Sequence, residues 1–523
     1  MVRKHIITGV AAAIAFCLAL GACGSSDKKA SSSSAAKDTI NTVLWYAPSN
    51  FNPATSASSP DYSVARLGFD TLLRNGEAKG SYVGGLATDW KANSTSSYTF
   101  TIRKGATCSD GTTITPTVIA NSFEYLAKAK ESGAQSWRKL AFGTGTPTFK
   151  ADNNSNTLNI NLSEPYSQLL GGVTLVGTGV ICPAGLADTT GLAAGTVKGA
   201  FSGPYTLNNY KAGVSATYKL RNDYAAWPKW KNVTGNPAKT INITVEKDPN
   251  TSASLLQSGG LDMANFYDSN AKRFNTNGDY NTITDNSTAN SLLFNEDSSS
   301  VFANNKELRA AVSQAVSAKA FNDAAGDGLG RILTSVADKQ FSCVSTDKSL
   351  LQTYNPDIAA KTLKGKTIRL VSMTNWDSAV NYVSEALTSA GATVKTTTVP
   401  PSDLSTQLRT EPTTWDLTIR GEINSSGLIN QSLQNYLGPS FTNGGTNYTS
   451  SNNPKGTELL TKALSSTDPN VQCKAFIDAQ KSILERVDVA PLATSTHYIV
   501  SRKDVITHIF SGYWDLSATR ITN

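Results

Sequence analysis

ATDWKANSTSSYTFTIRKGATCSDGTTITPTVIANSFEYL, residues 87–126, holds the most regular local pattern in the chain. Tyr98, Phe100 and Ile102 alternate with polar neighbours, the two-residue period of a strand with one buried face. Ser109-Asp110-Gly111 predicts a turn, because glycine accepts positive φ and an Asp carboxylate can bond to the backbone beyond it. Thr115-Pro116 predicts a helix start: the hydroxyl caps an orphan N–H, and proline suits a first position where no N–H is needed. Val118, Ile119, Phe123 and Leu126 form the apolar face of that helix, and Gly133 suits its end.

The same grammar extends outward. Thr39 to Ala47 predicts a first strand, followed by a loop rich in Ser, Asn and Pro. Residues 64–74 predict a helix through Val64, Leu67, Phe69, Leu72 and Leu73. Further on, Asn305 precedes a helix whose buried positions include Leu308, Ala311 and Val312. Thr367 to Ser372 reads as a strand, Ala379 to Ala390 as a helix, Ala392 to Val399 as a strand and Asp416 to Arg420 as another. Asp468-Pro469 opens a last long helix. Strands alternating with helices make an α/β protein.

Composition sets the bounds. A chain of 523 residues exceeds one core, so two or three domains are expected. With 39% hydrophobic and 17% charged residues it has the balance of a globular protein. Arg3 and Lys4 precede an apolar run, Ile6 to Leu20, that ends in Leu20-Gly21-Ala22-Cys23, the layout of an export signal. Cys23 after two small residues resembles a bacterial lipobox, which implies lipidation at Cys23 and a Ser/Ala/Lys tether over residues 24–37. Cleavage there would lower the formal charge from +7 to about +5, without a dense basic block, so no nucleic-acid partner is expected. Cys108, Cys182, Cys343 and Cys473 remain, an even set that in an exported chain predicts disulfides of three possible connectivities.

Catalytic signatures are missing. The chain has no G-x-S-x-G elbow and no H-E-x-x-H pair, and only His497 and His508 would survive processing. Lys364-Gly365-Lys366-Thr367 lacks the leading glycine of a phosphate loop. An enzyme is not expected, nor a cofactor or a resident metal.

The 87–126 stretch closely resembles the signature region of family 5 solute-binding proteins, the peptide- and nickel-type receptors of ABC importers. Other family landmarks follow in order: Glu164-Pro165-Tyr166, Ser202 to Leu207, Leu293-Phe294-Asn295, Leu308 to Val312 and Pro491-Leu492. The resemblance implies a two-lobed periplasmic-binding-protein-like fold (type II, cluster C-like) with an inserted subdomain in the first lobe. Its implied division is 1–22 signal peptide, 23–38 lipidated tether, 39–77 first lobe, 78–199 insert, 200–292 first lobe again, 293–488 second lobe and 489–523 a return to the first. Likeness to actinobacterial lipoproteins implies the pairings Cys108–Cys182 and Cys343–Cys473.

Receptors of this kind enclose a ligand between lobes, using aromatic walls and a few orienting polar groups. In α/β sheets such groups lie beyond strand C-termini. That nominates Trp45, Tyr46 and Phe51 after the first strand, Asn375 and Trp376 after the Thr367 strand, and Trp415, Arg420, Glu422 and Asn424 around the Asp416 strand. Asn295 falls near the expected lobe crossing. For the aromatics the competing reading is core packing; for Arg420 and Glu422 it is a solvated ion pair. Peptide-binding members place an aromatic–acidic pair after the third strand to hold the peptide ammonium. Here Glu422 stands without that pair, so the contact does not carry over. The implied function is solute capture, an oligopeptide being the first expectation, by a monomer anchored outside the cell membrane that delivers to an ABC permease. The alternative is a surface peptide sensor or interaction lipoprotein on the same scaffold.

Overall fold

Two long antiparallel strands, Tyr280–Phe294 and Val489–Arg502, run through the middle of a ten-stranded sheet and carry everything else. The computed structural model describes residues 37–523 except 79, 275–277, 375, 511–512 and 523. Cys23 and the export signal lie outside the described residues, as does Asn375. The strand order is Thr393–Val399, Thr367–Met373, Leu417–Ile423, Tyr280–Phe294, Val489–Arg502, Met263–Phe266, Thr39–Leu44, Thr240–Val245, Ser215–Leu220 and Tyr205–Lys211.

The pairing shows how one sheet serves two ends. Leu417–Ile423 pairs with the stretch from Thr288 to Phe294, at one end of its long partner. Met263–Phe266 pairs with the stretch from Tyr498 to Ser501, at the opposite end of the other long strand. Between them the register of the long pair slips at Asp285/Thr288. The buried polar residues at that slip are satisfied among themselves: Asp285 accepts from Ser287 and from Gln340 Nε2 at 3.0 Å, and Asn286 Oδ1 accepts from the hydroxyls of Thr494 and Thr496 at 2.9 and 2.7 Å. A bulge bends a strand and increases its twist. Here it separates the two ends of the sheet.

The local expectations around residue 100 hold in detail. Ser97–Ile102 is a strand with alternate residues buried, in a separate four-stranded antiparallel sheet. Helix Pro116–Lys128 starts where Thr115 Oγ1 accepts from the Val118 N–H at 3.3 Å. Phe123 of this helix packs with Phe142 and Phe149, ring centroids 5.7 and 5.6 Å away. Each buried ring of this size stabilises by about 2–3 kcal/mol relative to exposure. Gly111 has φ 87°, as its turn requires.

Two boundaries differ from expectation. The helix expected over 64–74 is Ser59–Gly68, because Pro60 fits its first turn and Phe69 is already extended. The chain then leads Asp70 and Arg74 inward, where Arg74 bonds Asp70 and Asp515, both at 2.9 Å. The helix from Pro116 ends at Lys128, and Gly133 instead belongs to a new helix, Ser132–Phe142. A Cβ at Gly133 would lie 2.7 Å from the Thr55 carbonyl oxygen, so this glycine is needed for close approach.

Cys108 is bonded to Cys182 and Cys343 to Cys473, with Cα separations of 6.0 and 5.0 Å. No helix among the described residues is long and apolar enough to cross a membrane.

Candidate ligand-binding cleft

A cavity of about 690 Å³ opens between elements drawn from the two ends of the sheet. One wall comes from residues 49–62 and the helix Ser132–Phe142. Asp61, 1% exposed, accepts from the Ser49 and Asn50 N–H groups at 2.7 and 3.1 Å, which ties the segment after the first strand to the helix behind it. Tyr62 meets Trp137 edge to face at 5.0 Å, and Trp137 Nε1 donates to the Ser56 carbonyl at 2.9 Å. The glycine at 133 lets that helix approach closely enough for the contact.

The facing wall comes from strand Leu417–Ile423, helix Pro401–Thr410 and the loop 441–448. Arg420 and Glu422, two residues apart on one strand face, form an ion pair. Glu422 Oε2 also accepts from Asn435 Nδ2 at 3.1 Å, so both of its oxygens are engaged. The Arg420 guanidinium lies 4.1 Å above the Tyr448 ring, and Arg409 lies 5.1 Å above Phe441 while donating to the Tyr448 hydroxyl at 3.0 Å. Burial pushes the Tyr448 phenol up, but Arg420 and Arg409 outweigh it and leave its pKa below the ordinary value. The Tyr62 phenol is pushed well up by burial, then by Asp61. The two phenols are thus shifted in opposite directions by their surroundings.

Lys139 spans the cavity. From the first wall, its ammonium donates to the carbonyls of Gly444 and Gly445 on the second, at 2.7 and 3.3 Å. Burial lowers its pKa, with Arg138 adding to the effect. Nearby, Asn430 Nδ2 donates to the Tyr166 hydroxyl at 3.0 Å and Ser167 N–H to the Leu464 carbonyl at 2.8 Å. Among the described residues no group of three or more His, Cys, Asp or Glu could hold a metal ion. Cations, aromatic faces and hydroxyls can bind and orient a polar solute.

Of the nominated residues, Arg420 and Glu422 line the cavity. Trp376 stands just behind it, where a Cβ added to the lining residue Gly421 would meet its indole at 3.2 Å. Phe51, Asn295 and Trp415 lie in the core. Phe51, 3% exposed, turns its edge to Tyr210 at 4.8 Å, because its N–H is fastened to the Ala193 carbonyl. Trp415 is fully buried in an apolar cluster that includes Leu408 and Ile483. Asn295 is likewise buried, its Nδ2 donating to the carbonyls of Pro412 and Trp415 at 2.6 and 2.8 Å, so it shapes the turn before the cavity strand. Tyr46 is 54% exposed and outside the lining, Trp45 packs edge-on to Tyr267 at 5.1 Å, and Asn424 bonds locally to the Leu428 carbonyl at 2.8 Å. Tyr62, Trp137, Lys139, Arg409, Phe441 and Tyr448 went unnominated. The one signal available for Tyr448 was a lone aromatic in a run of Gly, Asn, Thr and Ser.

A mixed α/β body whose two ends share a pair of crossing strands, with a polar and aromatic cavity between them, has the fold of the periplasmic binding proteins. The chain belongs to the bacterial extracellular solute-binding proteins, family 5, whose middle-region model matches residues 81–444. A substrate binding protein from Microbacterium hydrocarbonoxydans, solved with 4-hydroxybenzoate hydrazide, is 32% identical at a TM-score of 0.83, covering 93% of this chain and 100% of that one. A dipeptide binding protein from Pseudoalteromonas sp. SM9913, solved with Met-Leu, shares the fold at a TM-score of 0.78 and 17% identity, covering 92% of this chain and 100% of that one. Among curated relatives, the periplasmic murein peptide-binding protein MppA of Escherichia coli (strain K12) is 34% identical over 90 residues, 17% of each chain. The probable D,D-dipeptide-binding periplasmic protein DdpA of the same organism is 28% identical over 177 residues, 32% of each. The chain thus spans well under half the length of the curated relatives it matches.

Proposed function

We propose that the protein captures a small solute in the cavity between the two ends of its sheet and delivers it to an ABC permease, leaving every covalent bond of the solute intact. The observation that carries this reading is the divided cavity wall: Tyr62 and Trp137 on one side, Arg409, Arg420 and Tyr448 on the other, with Lys139 reaching across. A volume of about 690 Å³ fits a solute the size of a short peptide. Relatives solved with Met-Leu or with an aromatic hydrazide support a ligand of that size.

In this reading residues 39–77, 200–292 and 489–523 form one lobe, 78–199 an insert in it and 293–488 the second lobe. Cys23 carries the lipid that anchors a monomer on the outer face of the cell membrane, with 24–37 as tether. Native mass spectrometry of protein purified from its own host tests the capture. A small non-covalent adduct that is lost on unfolding is expected. Adduct-free protein that also fails to bind short peptides and small aromatic solutes in calorimetry contradicts it.

A further inference from the structure

We infer that the cleft selects a solute with net negative charge, an aromatic or N-blocked carboxylate, over a zwitterionic peptide. The inference rests on the solute-capture reading and refines it. Lys139, Arg409 and Arg420 line the cavity with Asp61 and Glu422; Arg420 and Glu422 cancel as an ion pair, which leaves Lys139 and Arg409 against the buried Asp61. Neither carboxylate is available to a ligand ammonium. Asp61 is 1% exposed and occupied by the backbone of Ser49 and Asn50, and Glu422 is neutralised by Arg420 with its second oxygen held by Asn435.

Arg409 is placed differently. Among the described residues it has no carboxylate partner; Nε and Nη2 both reach the Tyr448 hydroxyl, at 3.3 and 3.0 Å, and its guanidinium carbon lies 5.1 Å from the Phe441 ring centroid. Five donors in a rigid fork leave the guanidinium three N–H groups for an incoming anion. The two hydrogen bonds to the Tyr448 hydroxyl and the Phe441 ring beside it hold the fork in advance, so little side-chain freedom is lost on binding. Tyr62 and Phe441, which also line the cavity, supply apolar surface for a ring. A zwitterion brings its ammonium into the field of Lys139 and Arg409 with no acceptor of opposite charge to meet it. An anion does not have this penalty.

The test is calorimetry on the full mature chain with four probes: N-acetyl-Ala-Phe and benzoate as anions, Ala-Phe as zwitterion and N-acetyl-Ala-Phe-amide as neutral. At least one anion should bind tenfold or more tightly than both the zwitterion and the amide, about the worth of one charged hydrogen bond. Which anion binds separates a peptide-like source from an aryl acid. In Arg409→Gln the anion-to-neutral ratio should fall close to one, and in Arg409→Lys, which keeps the charge and controls for folding, it should stay well above that of Arg409→Gln. Ala-Phe binding tightest overturns the charge selection and leaves solute capture standing. An unchanged ratio in Arg409→Gln, or two inert anions, also overturns it. Four inert probes together with adduct-free protein from the host remove the capture reading itself.

Discussion

His497 sits on the long strand Val489–Arg502 opposite Asp285, its ring stacked on Tyr267 at 4.5 Å and its Nε2 buried without a hydrogen-bond partner among the described residues. Burial lowers its pKa to about 4, against about 6.5 for a solvated imidazole. The unfolded chain therefore binds a proton that the folded one refuses, and stability is lost as pH falls from about 6.5 to about 4, then levels off. The effect is on the order of 3 kcal/mol at most. Urea midpoints between pH 7 and pH 4.5 should fall less steeply in His497→Phe than in the parent; parallel slopes would show that the imidazole does not contribute. Asn295 offers a second residue-scale prediction. Asn295→Ala leaves the buried carbonyls of Pro412 and Trp415 without their donor and should destabilise by about 1–3 kcal/mol in urea titration.

At the scale of elements, each disulfide staples one part of the chain. Cys343–Cys473 ties a loop to helix Pro469–Arg486 and closes a separation of 130 residues, so Cys343→Ser with Cys473→Ser should cost about 2–4 kcal/mol in denaturant titration. Elements with local signals were legible in the sequence. Ser97–Ile102 shows its period, and helix Pro116–Lys128 shows its cap, its proline and its apolar face, each signal lying within its own element or at its edge. The start of Ser132–Phe142 was not legible. Ser132-Gly133 looks like a stop, and the reason for the glycine is the Thr55 carbonyl, which only the fold brings there. Arg420 and Glu422 were readable because they sit on the cavity strand itself. Lys139 and Arg409 were not, since a cation on an amphipathic helix has the same pattern whether it faces solvent or a cleft.

For the whole molecule, the sheet continues from end to end, and beside the cavity hydrogen bonds bridge the walls together with apolar contacts of Leu464 with both cores and of Leu428 with Gly171. Lys139 to Gly444 and Gly445, Tyr166 to Asn430, and Ser167 to Leu464 bridge the walls. Such contacts are cheap to break beside the buried cores on either side, so they can open and re-form around a solute. Lys139→Ala removes two of these bonds and should weaken solute binding about three- to tenfold in calorimetry, since each net hydrogen bond is worth about 0.5–1.5 kcal/mol. A change confined to the urea midpoint would mean that Lys139 is structural only. The most direct measurement is a crystal structure of protein purified from its own host. Ordered density for a small molecule between Tyr62 and Arg409, touching both walls, is predicted; density for water alone there, with a ligand bound elsewhere on the molecule or none bound at all, would contradict the account.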